Sequence, residues 1–157
     1  ESIAENIALN NWRDFSRRGM VDTSQLQAHA EMQIAAFAVH APGPATQLSA
    51  LSGGNQQKVI LAKWLPRKPA VLICDEPTRG VDVGARHDIY ARLRKAADEG
   101  AAVLLISSDM EEVLGVSDRI AVMHEGRISG TLERRDFSEQ NVLQLAVGRA
   151  HLEDTPR

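Results

Sequence analysis

Apolar and polar positions change their period several times along the chain, and each change marks an element. Over residues 2–9, Ile3 and Ile7, with Ala4 and Ala8, fall on one side of a short amphipathic helix. Residues 10–22 are polar, broken by Gly19 and made basic by Arg13, Arg17 and Arg18, which predicts a solvated loop. Thr23 is the expected cap of a helix running to Val39, with Leu26, Met32, Ile34, Phe37 and Ala38 as its apolar positions. Ala41-Pro42-Gly43-Pro44 breaks it. A further helix opens at Ser52, with Val59, Ile60, Ala62, Lys63 and Trp64 at near-helical spacing. Val71-Leu72-Ile73-Cys74 is a short apolar run between Pro69 and Pro77, as expected of a buried parallel strand. A helix over 83–99 follows, ended by Gly100, with Ile89, Leu93 and Ala96 or Ala97 inward and Arg86, His87, Arg92, Arg94 and Lys95 outward. Residues 101–106 form a second buried strand. Ser107-Ser108-Asp109 closes that strand and caps a helix from Met110 to about Gly115. Residues 119–123 and 127–131 pair as a hairpin, with His124 exposed in its turn. A last helix covers 136–147, and a polar, frayed tail follows. Strands alternating with helices give an α/β layer with a parallel core and the hairpin at its edge.

Two stretches carry chemistry. Leu51-Ser52-Gly53-Gly54-Asn55-Gln56-Gln57-Lys58 reads as a glycine turn opening a helix. Ser52 is a good N-cap, and the two glycines let backbone N–H groups lie close to a ligand. The partial positive charge of a helix N-terminus suits a phosphate, although the same residues also suit an ordinary capped helix. The second stretch ends Cys74-Asp75-Glu76-Pro77-Thr78-Arg79-Gly80-Val81-Asp82. It places two carboxylates at the carboxyl end of a strand, where open α/β sheets collect ligands. Adjacent strand residues face opposite sides, so one acid can hold a magnesium ion and the other can take a proton from water. A solvated acidic turn is the alternative.

Together, about twenty residues apart, these stretches resemble the ATP-binding cassette ATPases. Leu51-Ser52-Gly53-Gly54-Asn55 is similar to the family's signature motif, with Asn55 where Gln is usual. Residues 71–75 are similar to its Walker B strand. The resemblance implies a partial P-loop NTPase fold, a mainly parallel sheet with helices and a small helical subdomain. On that basis residues 1–50 belong to the helical subdomain, 51–148 to the ATPase core and 149–157 to a tail. It implies that Ser52, Gly53, Gly54 and Asn55 face ATP, that Asp75 holds Mg2+, that Glu76 is the catalytic carboxylate, and that Asp82 is the D-loop aspartate. Ser108 stands where the family usually has a histidine reaching the γ-phosphate, so a weakened hydrolytic site is expected. The wording of both stretches is closest to the second cassette of tandem ATP-binding proteins from bacterial importers of ribose- and galactose-type sugars.

Composition narrows the alternatives. The 157 residues, 43% hydrophobic and 25% charged, suit one soluble domain with a core. A net charge of −3 and an aromatic content of 4% give no footprint for nucleic acid. Cys74, inside the predicted strand, reads as a small buried hydrophobe. No stretch has the roughly 18 apolar residues of a spanning helix.

No Gly-x-x-x-x-Gly-Lys-Ser/Thr occurs, and none of the four lysines, Lys58, Lys63, Lys68 and Lys95, follows a glycine. With no initial Met, the sequence is expected to be the C-terminal part of a cassette, binding ATP weakly by itself, with an uncovered apolar face and a tendency to self-associate. The expected function is the ATP-hydrolysing subunit of a sugar importer at the cytoplasmic face of the bacterial inner membrane. Its expected partners are another cassette, the membrane-spanning permease and, indirectly, a periplasmic sugar-binding protein. The competing reading is a degenerate, non-catalytic cassette that regulates or docks. A DNA-repair or chromosome ATPase would need long heptad arms, which residues 1–47 lack.

Overall fold

The structure, a computed structural model, describes residues 1–17 and 19–148; Arg18 and the expected tail at 149–157 lie outside the described residues. The described residues form two compact units, one of residues 1–104 and one that begins at residue 105.

In the first unit, α1 (Ile3–Ala8) starts with a capping box: Ser2 and Glu5 each satisfy the other's backbone N–H. The next orphan donors go to a distant strap, Ile3 N–H to the Thr46 carbonyl (2.9 Å) and Ala4 N–H to that of Pro44 (3.0 Å). Ile3, Ala4, Ile7 and Ala8 are buried as expected, and α1 packs on α2 (Thr23–Ala36) and α3 (Gly53–Trp64). The predicted loop at 10–22 contains a 3-10 turn (Trp12–Phe15) and a two-residue ribbon, β1 (Ser16–Arg17) with β2 (Met20–Val21).

Both boundaries of α2 differ from expectation, and the last helix begins at Glu139 rather than at residue 136. Asp22 caps α2 by accepting from the N–H groups of Ser24 and Gln25, so Thr23 is already helical. A carboxylate one residue earlier reaches those donors and carries charge toward the positive helix end. The helix stops at Ala36 because Ala38 turns left-handed, at φ +47°.

Strand β3 (Val71–Asp75) pairs with β4 (Ala102–Ile106) in a two-stranded parallel sheet, joined through α4 (Val83–Asp98). Both strands were expected to be buried on both faces. Instead, β3 alternates: Leu72 and Cys74 are buried, while Val71 and Ile73 are exposed. In β4, Leu104 and Ile106 are exposed. Length and apolar content predict a strand, but only neighbouring elements decide whether its second face is covered.

On α3, Lys58, Val59, Leu61 and Ala62 face inward, whereas Ile60 and Trp64 lie out. On α4, Ile89 and Leu93 are buried as expected, but Arg86 and Arg92, expected outward, are half-buried.

The second unit is organised by a hairpin and one helix. β5 (Arg119–His124) and β6 (Arg127–Glu133) pair antiparallel around Glu125-Gly126, both at positive φ as a tight two-residue turn requires. Ser129 bulges out of the ladder and bonds the Val122 carbonyl. Ile120, Val122 and Leu132 form a core with Val142 and Leu145 of α6 (Glu139–Ala146), flanked by Met110, Val113 and Leu114 of α5 (Met110–Val116). Asp109 caps α5 as expected. His124 is not an exposed turn residue. It ends β5, half-buried, with Nδ1 2.8 Å from the Ala146 carbonyl at the end of α6.

Candidate functional site

The signature stretch lies where the sequence expects it, at the N-terminus of α3, with Ser52 in the cap position. Ser52 and Gly53 are exposed and Gly54 is buried. The expected cap bond is absent: the Ser52 hydroxyl accepts no backbone N–H of α3. Its oxygen accepts instead from Nδ2 of Asn55, at 2.9 Å. The first-turn N–H groups are therefore left without the partner an N-cap serine normally supplies, and they converge at the positive end of the helix dipole. A cap that does not cap leaves donors for an anion.

The glycines have a second reason to be glycine. A Cβ on Gly54 would lie 2.8 Å from Ala85 Cβ and 3.4 Å from Val81 Cγ1, and one on Gly53 would lie 3.0 Å from the Gly80 carbonyl oxygen. The 80–85 segment thus packs directly over the start of α3. Asp82, expected only as the D-loop aspartate, also caps α4 by accepting from Ala85 N–H (3.0 Å). An aspartate before a helical run is a signal that sequence reading could have used.

Side chains of α3 and α4 hold the strap that follows α2. Oδ1 of Asn55 accepts from His40 N–H (2.8 Å). Lys58 is buried, and its Nζ reaches both the Ala38 carbonyl (3.4 Å) and Oδ2 of Asp88 (2.7 Å). Arg92 bonds the Ala36 carbonyl and stacks on the Phe37 ring. The hydrogen bond from Lys58, followed by its charge, holds the Asp88 carboxyl below the ordinary carboxylate value; Arg92 and His40 add smaller contributions. Burial pulls the Arg92 guanidinium below its ordinary value. No sequence signal marked Lys58, because a lysine in an amphipathic helix ordinarily faces water.

The acid pair departs from the expectation of alternating strand residues. Asp75 is the last residue of β3 and is exposed. Glu76 lies beyond the strand in the left-handed region, at φ +46°, where its carbonyl accepts from Arg79 N–H. The pair is separated by a backbone reversal rather than by the pleat. A glutamate held there costs roughly 1–2 kcal/mol, a strain found mostly at functional sites.

Ser108, in the second unit, is exposed and directly precedes the α5 cap, while Ser107 Oγ accepts from Asp109 N–H. A cavity of about 340 Å3 beside Ala70, Arg92 and Ala101 is lined by none of the motif residues.

Among the described residues no group of three or more His, Cys, Asp and Glu side chains could enclose a metal. An exposed terminal carboxylate such as Asp75 suits magnesium, which keeps its waters and is bound through one or two carboxylates together with substrate phosphates. The uncapped donors of α3 suit an anion such as a phosphate group.

Comparison with known proteins bears on the family and the fold. Residues 2–79 match the ABC transporter family. The chain is 48% identical over 147 residues to the ribose import ATP-binding protein RbsA of Streptococcus agalactiae and 46% identical to that of Bacillus subtilis. Each alignment covers 94% of this chain and 30% of the relative, so the chain spans under a third of their length. The fold resembles the ATP-binding cassette MJ0796 in a post-hydrolysis dimer with ADP and Pi (TM-score 0.69, 23% identity, covering 87% of this chain and 58% of that one). It also resembles the cassette MJ1267 (TM-score 0.71, 20% identity, covering 93% and 62%). An α/β chain with the signature and Walker B stretches at these two positions belongs to the ATP-binding cassette transporter ATPases.

Proposed function

We propose that the chain is the signature and Walker B portion of the second cassette in the ATP-binding subunit of a bacterial monosaccharide importer, coupling ATP binding and hydrolysis to carbohydrate uptake. The reading rests on the exposed, uncapped start of α3 at Ser52 and Gly53. The likeness to ribose import proteins supports the sugar class. Residues 1–50 serve as part of the helical subdomain and 51–148 as part of the core. Ser52 and the amides after it hold the terminal phosphoryl group of an ATP bound by the P-loop of a facing cassette. Asp82 lies at the seam between the two, Asp75 would hold Mg2+, and Glu76 orients the attacking water and takes its proton. The magnesium supplies charge neutralisation on the phosphates.

Closure of the two cassettes drives the permease at the cytoplasmic face of the inner membrane, and the periplasmic sugar-binding protein acts through that permease. Residues 1–157, which contain no P-loop, turn over no ATP by themselves. The test is Glu76→Gln in the full-length protein. Turnover is expected to fall while ATP is retained in a closed dimer; unchanged turnover would refute the role of Glu76. One observation favours a second reading, a non-catalytic clamp: Ser108 offers a short hydroxyl where an imidazole could carry charge.

A further inference from the structure

We propose that Asn55 is a positioning residue that fixes the Ser52 hydroxyl as an outward hydrogen-bond donor, and so couples the end of α2 to the phosphate-facing wall. This rests on the proposed role of Ser52 toward a nucleotide. The geometry leaves one solution. A backbone N–H can only donate, so the His40 amide, 2.8 Å away, must meet the Asn55 carbonyl oxygen. That fixes the orientation of the side-chain amide and turns its NH2 toward Ser52, 2.9 Å away. The Ser52 oxygen is thereby occupied as an acceptor, and no backbone N–H of α3 competes for it. Its own hydrogen is left to point away from Asn55, on the exposed side of the helix start. An acceptor placed there, such as a phosphate oxygen, meets a pre-set donor, with no reorganisation needed at binding.

The same amide reaches back to the strap after α2, which Lys58 also grips through the Ala38 carbonyl, while Arg92 holds the Ala36 carbonyl at the end of α2. Ala38 holds the strap in a left-handed bend, and Phe37 and Val39 are buried on either side of it. A shift of α2 therefore moves His40, then Asn55, then the Ser52 hydroxyl.

The discriminating substitution is Asn55→Asp in the full-length protein. A carboxylate still accepts from His40 N–H but cannot donate to Ser52, so it draws the hydroxyl hydrogen inward. ATP turnover is expected to fall about tenfold or more in Asn55→Asp and in Ser52→Ala, the scale of one hydrogen bond to a charged group. The double variant should fall no further, because both changes remove one donor. Additive losses, or Asn55→Asp at the parent rate beside an impaired Ser52→Ala, would overturn the proposal. NMR of asparagine-labelled full-length protein separates it from the nucleotide assignment. Ser52→Ala must move the Asn55 side-chain NH2 resonances. If they stay in place, the linkage is refuted; if they move while turnover stays intact, the linkage stands and the nucleotide role of Ser52 fails.

Discussion

Gly54 in the first unit and Gly130 in the second make the same physical statement. Each is a glycine inside a regular element, and each lies where a Cβ would collide with a neighbour. At Gly54 that neighbour is the Cβ of Ala85, 2.8 Å away; at Gly130 it is the Leu145 side chain, whose methyls lie at 2.6 and 2.9 Å. The surroundings differ. Gly130 sits in a strand under an apolar core of Ile120, Val122, Leu132, Val142 and Leu145, and its contact is a flexible side-chain end. Gly54 sits beside the exposed Ser52-Gly53 step and meets a methyl fixed to a helix backbone. One glycine allows packing; the other lets the 80–85 segment close over a polar wall. Close approach alone does not distinguish function from packing, whereas the polarity and exposure of the next residues do.

Leu145→Ala is the change with the largest expected effect. It removes the central side chain of the second unit's core and is expected to lower stability by about 2–4 kcal/mol in denaturant unfolding. In its presence Gly130→Ala should become nearly harmless, because the clashing methyls are gone. If Gly130→Ala costs as much in that background, the packing role assigned to Gly130 is wrong.

Gly54→Ala is expected to cost about 1–3 kcal/mol, since the Ala85 Cβ cannot turn aside. Adding Ala85→Gly should recover part of the loss, limited by the roughly 1 kcal/mol that glycine costs inside α4. No recovery would mean the contact is not the cause.

The smallest effect concerns the clamp below the wall. Asp88→Asn should cost about 1–2 kcal/mol, less than for a fully enclosed pair because the Asp88 side chain is 52% exposed. The folded-state carboxyl lies below its ordinary value, chiefly through the Lys58 hydrogen bond. Its contribution is therefore complete above the unfolded value, near about 3.9, and disappears as pH falls through the lower folded value. The gap between parent and variant in urea unfolding should be constant above about pH 5 and close below about pH 4. A gap that persists at the acid end would assign the effect to packing.

What was legible in the sequence follows the same division. The signature and Walker B stretches could be read because their chemistry constrains consecutive residues, and the hairpin because two strand-like runs flank a glycine turn, although that turn was read one residue too long, to include His124. Gly130 carried no signal, since its partner Leu145 is brought to it only by the fold. Lys58 was hidden likewise, because Asp88 and the Ala38 carbonyl meet it only after α2, α3 and α4 pack. Ser52 was read correctly as a cap position and wrongly as a cap bond: Asn55, one turn away, competes successfully for its hydroxyl. The exposed faces of Val71 and Ile73 were misjudged because apolar content records what a strand can bury and not what lies against it.

The most direct test is ATP turnover per folded molecule in the full-length protein, compared between Gly54→Ala and Gly130→Ala. Gly130→Ala should lose stability yet turn over at the parent rate once folded, while Gly54→Ala should turn over at least about tenfold more slowly even where it is fully folded. Equal turnover in the two folded variants would contradict the assignment of the α3 start to the nucleotide.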